Sequence, residues 1–115
     1  MNQAEVLELT KTFPETPLFN KVIITVNLLE ADGGLVLSDS TLSDVQYIVA
    51  KGDHVHQLEL GDAVRIDLEK LTVKVPVDGN SYEYVNQVKI DPIILDGVLY
   101  AIIEDRFIKT KFKTV

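Results

Sequence analysis

Cysteine and tryptophan are absent from the 115 residues, methionine occurs once and histidine twice. Without cysteine there is no disulfide framework and no thiolate metal site, a composition that fits a reducing compartment. No apolar run approaches the roughly 20 residues that a membrane-spanning helix needs, and the opening stretch "MNQAEVLELTKTFPE" lacks the basic head and apolar core of a signal peptide. The chain is therefore expected to be soluble and cytoplasmic. Positive charge is also scarce. Eleven Lys and Arg face 18 Asp and Glu, a net charge of -7 that repels phosphate backbones and anionic lipids, so neither nucleic acid nor a membrane is an expected partner. The one basic stretch, "RFIKTKFKTV", reads as a terminal edge strand whose lysines discourage aggregation.

What the sequence does contain is a series of short β-branched and apolar runs separated by Gly, Asp and Asn, the pattern of an all-β fold in a single domain spanning residues 1–115. "KVIITVNLL" (21–29) and "VQYIVAK" (45–51) supply two strands. In "DAVRIDL" the alternation is clean, with Val64, Ile66 and Leu68 on one face and Arg65 and Asp67 on the other. "LTVKVPV" leads through Asp78-Gly79-Asn80 into "SYEYVNQVKI" as a hairpin, and Pro76, which has no backbone donor, places that hairpin at the periphery. "IILDGVLYAII" turns at Asp96-Gly97, and "DRFIKTKFK" closes the series. Helical periodicity is confined to "NQAEVLELTKTF", a helix too short to stand without packing. A barrel is the economical way for so short an all-β chain to hide its strand edges.

Catalytic chemistry finds little footing. His54 and His56 could share a side, but a metal site needs a third or fourth ligand and a second shell to orient them. Ser38, Ser40, Ser43 and Ser81 lie in loop-like stretches with no nucleophile elbow, and Gly33-Gly34 is too little for a phosphate cradle. No enzyme activity, catalytic residue, metal or cofactor is expected.

The order of the runs is more informative than any one of them. "TPLFNKVIITV" (16–26), "ADGGLVLSDS" (31–40), "YIVAKGDHVHQLELGDAVRID" (47–67) and "GVLYAIIEDRFIKTKF" (97–112) together resemble the GroES-type co-chaperonins, over nearly the whole chain. The sequence departs from that family in a reduced roof hairpin at "HVHQLEL", an added segment "LEKLTVKVPVDGNSYEYVNQVKIDPIIL" and an N-terminal extension over residues 1–15, divergence expected of a phage-encoded relative acting in the host cytoplasm. The resemblance implies a small, partly open β-barrel with a long flexible loop after the first strand, here residues 30–44, and a β-hairpin insertion. It further implies a homo-oligomeric, heptameric ring that caps a GroEL-type chaperonin and assists ATP-dependent folding without catalysing a reaction.

On that resemblance Leu35, Val36 and Leu37 correspond to the tripeptide that enters the chaperonin apical domain, and Gly33 and Gly34 to the glycines that let the loop turn into it. Burying the three side chains is worth about 5 to 8 kcal/mol gross, against about 1 to 2 kcal/mol of backbone entropy for every residue fixed. One loop thus binds weakly, and a ring of loops binds through effective concentration. Periodicity alone reads "GLVLSD" as an ordinary strand, so it is the order of the runs that favours a hook. A virion structural protein, such as a capsid-decorating or ring-forming β-barrel, is the alternative, since the extra segments provide surfaces that a plain lid does not need.

Overall fold

The strand β1 (Lys21–Thr25) buries Val22, Ile23, Ile24 and Thr25 in succession. Neighbouring side chains of a strand point to opposite faces, so such a strand needs cover on both sides. The computed structural model of the chain, which describes residues 1–29, 42–77 and 80–113, supplies both covers. On one face Val22 and Ile24 pack with Ile48, Val64, Ala101 and Ile103. On the other, Ile23 packs with Val49, Ala50, Tyr100 and Val6.

The neighbours of β1 are β2 (Val45–Lys51) and β7 (Val98–Glu104), both antiparallel to it. Beyond β2 comes β3 (Ala63–Ile66), which pairs with β8 (Ile108–Lys111), while β6 (Asp91–Leu95) pairs with β7. The six-stranded order is β6-β7-β1-β2-β3-β8. Among the described residues its two ends do not join, so the expected all-β fold is an antiparallel sheet that stays open between β6 and β8. The expected hairpin insertion is present as a separate two-stranded sheet of β4 (Thr72–Val77) and β5 (Asn80–Val88), with Pro76 opposite Tyr84. Of the expected turn Asp78-Gly79-Asn80, residues 78–79 lie outside the described residues, and Asn80 already belongs to β5.

Local chemistry explains where these strands break. Alternation along "VQYIVAK" is imperfect because the β1–β2 register shifts between Ile23, opposite Ala50, and Ile24, opposite Ile48. Val49 is the extra residue of this bulge and joins Ala50 on one face. The Asp96-Gly97 turn connects the paired Leu95 and Val98 with φ of 52° and 77°, the left-handed pair that matches strand twist in a two-residue hairpin. Asp67 caps the single turn α2 (Leu68–Leu71), accepting from the Lys70 N–H at 3.2 Å. Alternation gave no sign of that turn, because four residues cannot display a helical period.

The N-terminal extension forms α1 (Gln3–Thr10). Asn2 and Glu5 make a reciprocal capping box, the Asn2 side chain accepting at 2.9 Å and the Glu5 carboxylate at 3.2 Å. Val6, fully buried, fastens the helix to the second face of the sheet, and Phe13 meets the Tyr100 ring edge-on at 5.2 Å. Burial, and next the Asp96 carboxylate, push the Tyr100 phenol above its ordinary value. Among the described residues no helix is long and apolar enough to cross a membrane.

Two glycines give a contrasting test. A Cβ on Gly52 would lie 2.1 Å from the Phe19 carbonyl oxygen, whereas one on Gly97 would meet nothing within 4 Å and be opposed only by the positive φ. Gly52→Ala is expected to cost about 3 kcal/mol of unfolding free energy and Gly97→Ala about 1 to 2 kcal/mol. Urea titrations of the two variants check this ranking, and equal losses would mean that the Phe19 turn yields freely.

Candidate functional site

The residues singled out for chaperonin binding, Gly33, Gly34, Leu35, Val36 and Leu37, lie outside the described residues. What the structure describes is the base from which their segment departs. Strand pairing was expected to run to Leu29, but β1 ends at Thr25, and Leu28 meets Leu42 only in an isolated antiparallel bridge. The reason is a side chain that takes over the backbone bonding at this point.

Gln46 is completely buried. Its Oε1 accepts from the Thr25 hydroxyl and from the Asn27 N–H, each at 2.8 Å. Its Nε2 donates to the Asn27 carbonyl at 3.0 Å and to the Ser43 carbonyl at 2.8 Å. Both lone-pair directions and both N–H groups of the amide are thereby satisfied, and the reversed amide would set donor against donor at Asn27. The Ser43 N–H donates to the Asn27 carbonyl at 3.0 Å, and the Thr25 hydroxyl accepts from the Tyr47 N–H at 3.0 Å. The two chain ends are thus tied across β1 and β2 by a closed network rather than by more ladder.

The far end of the expected loop belongs to this fixed body. Leu42 is 2% exposed and packs in the core, the Ser43 hydroxyl accepts from the Val45 N–H at 3.1 Å, and Asp44 accepts from Arg65 at 2.9 Å. Of the loop drawn from sequence over 30–44, residues 42–44 are held in this body, and residues 30–41 lie outside the described residues. Arg65 and Asp44 are both substantially exposed, so their pair adds little stability and mainly marks where the base meets β3. Leu29, the last described residue before the segment, is 61% exposed and leaves an apolar side chain beside the base.

Gln46 escaped the sequence reading although a signal was present. It shares the parity of Ile48 in a strand whose alternate positions face the core, and a polar residue there requires partners. His54 and His56 lie exposed on the connection between β2 and β3, with the Phe19 ring 5.6 Å from that of His54. Among the described residues no group of three or more potential ligands is placed to hold a metal ion.

Gln46→Leu would leave the Asn27 N–H and the Ser43 carbonyl without partners at about 1 to 3 kcal/mol each, partly relieved by water at this part-buried site. An overall loss of about 2 to 4 kcal/mol is expected, with faster amide exchange at Asn27 and Ser43 than at Ile23 or Ile48. Denaturation and residue-resolved hydrogen exchange measure both, and unchanged exchange at Asn27 would contradict the clamp. No protein-family model matches the chain, and no curated protein matches it significantly.

Proposed function

We propose that the chain is a co-chaperonin of the GroES type: a non-catalytic lid, phage-encoded, that caps a GroEL-type chaperonin ring through Gly33, Gly34, Leu35, Val36 and Leu37 and assists ATP-dependent folding. The observation that carries this reading is the Gln46 clamp. It holds the sheet rigid up to both ends of the segment that contains the apolar tripeptide. A recognition segment works best on a rigid mount, because the mount then contributes no further ordering cost on binding.

The open sheet supports the assembled state in this reading. The free edges of β6 and β8 face no described strand, and unlike edges at opposite ends of one sheet suit a head-to-tail contact that closes into a ring. Such a ring presents several identical segments at once, the arrangement by which weak single contacts add up to stable but reversible capping.

A second reading keeps the same fold as a virion structural protein. It draws on the β4–β5 hairpin, which stands as its own sheet with Val73, Tyr84 and Val85 exposed by 40%, 55% and 48%. A two-stranded ribbon is marginal by itself, and a lattice neighbour would cover this one.

Native mass measurement on the purified protein mixed with a host-type chaperonin and ATP is expected to give a capped complex. Val36→Asp, which places a charge where an apolar side chain must be buried, is expected to remove that complex while the free protein keeps its fold. Absence of a complex under every nucleotide condition would sink the co-chaperonin reading, and stoichiometric copies in purified particles would establish the virion one.

A further inference from the structure

Two features of the sequence that the proposed lid does not use meet in space. The only two histidines, His54 and His56, line one cavity of about 420 Å3 together with Lys109 and Lys111 of the basic C-terminal strand. The chain carries a net charge of -7, yet the only carboxylate lining this cavity belongs to Asp105. The volume is in the range of small-molecule sites.

The connection after β2 is built to present these groups. Val55 and Leu58 turn into the core at 4% and 7% exposure, which leaves His54 and His56 on the outer side. The His54 N–H donates to the Phe19 carbonyl at 3.0 Å and the Val55 N–H to the Gly52 carbonyl at 3.1 Å, fixing the start of the connection. From the other wall, Lys111 Nζ donates to the Gln57 carbonyl at 2.9 Å and so holds β8 against it. Val55, Leu58 and Ile108 supply an apolar lining beneath the cationic side chains.

Phe19 adds a second observation. It has a φ of 58°, an unfavourable conformation for a bulky residue, and the residue is 58% exposed. The turn that holds it is closed by the Lys21 N–H on the Leu18 carbonyl at 3.1 Å and leaves no room for a side chain on Gly52. Backbone strain of this kind gathers at ligand clamps. Here it holds the Phe19 ring 5.6 Å from that of His54, tilted against it, behind a residue that lines the cavity.

We infer that this cavity binds a small organic anion, with an aromatic or apolar body beside Ile108 over the floor of Val55 and Leu58 and a phosphate or carboxylate group among His56, Lys109 and Lys111. The site is separate from the chaperonin-binding segment. A bare inorganic ion would use the basic groups and leave the apolar lining empty, whereas a neutral aromatic would leave the Lys109 ammonium unused; Lys111 already has the Asp62 carboxylate at 3.9 Å.

Titration of the 15N-labelled protein separates these cases with four probes: phenyl phosphate, phenylacetate, inorganic phosphate and benzyl alcohol. Phenyl phosphate or phenylacetate is expected to shift the amides of residues 54–58 and 108–111 and to bind at least about tenfold more tightly than inorganic phosphate or benzyl alcohol. The stronger of the two aromatic anions identifies the head group. Lys109→Glu and His56→Glu, both at exposed positions, are each expected to weaken that binding by about tenfold with the remaining amide spectrum unchanged. Val36→Asp is expected to bind as the wild type does, so failure here and failure of the lid are distinguishable. Inorganic phosphate binding as well as the aromatic anions would mean an adventitious ion only. That result, shifts located elsewhere, or a self-association that excludes the probes from β8 would each overturn the inference.

Discussion

The Gln46 amide is the constraint around which the end of the sheet is arranged. A buried primary amide has four hydrogen-bonding positions, and leaving any of them empty in a low-dielectric interior costs more than an ordinary bond returns. Here all four are filled, and three go to backbone groups, of which the Asn27 N–H and the Ser43 carbonyl would otherwise be left unpaired where the strands separate. The side chain thus substitutes for two rungs of ladder. β1 and β2 can part at that point without exposing their backbones, and Leu42 can return into the core beside Leu28.

Two-sided burial is the second constraint, and it follows from the length of the chain. A domain of 115 residues has limited surface to hide, and a sheet with one face in water would waste the apolar residues at Ile23, Tyr100 and Val49. The N-terminal extension supplies the missing layer. α1 has one buried residue, Val6, so the helix is held by its capping box and by the neighbouring contacts of Leu9 and Phe13 on the same cluster. A short helix that is marginal alone becomes stable as one side of a core, and the sheet gains a second packed face from it.

These constraints divide what could be read from the sequence from what could not. Alternation marked β3 and β4, while run length and the Asp96-Gly97 turn marked β7 and its hairpin, because period and turn chemistry are local properties of the chain. The end of β1 at Thr25 was not legible: apolar residues continue to Leu29, and only Gln46, about twenty positions later, draws the Asn27 backbone away from the ladder. Leu42 looked like a loop residue among Ser, Thr and Asp, and its burial is a consequence of the same clamp. The candidate hook itself was read from the order of motifs, a kind of information that the backbone geometry around it neither repeats nor replaces.

The basic strand shows why a local explanation can be correct and incomplete. Lysines on β8 guard an open edge, as the sequence alone implied, and for that role any outward direction would do. Two lysines instead converge on the connection between β2 and β3. Lys51 Nζ donates to the Leu58 carbonyl at 2.7 Å, while Lys111 Nζ donates to the adjacent Gln57 carbonyl at 2.9 Å. Neighbouring carbonyls braced by ammonium groups from two strands hold that connection in one position, with its histidines facing the edge strand. Edge protection accounts for the charge of β8. Its bond to the facing wall gives Lys111 a second, bracing role, because a guard needs nothing opposite it.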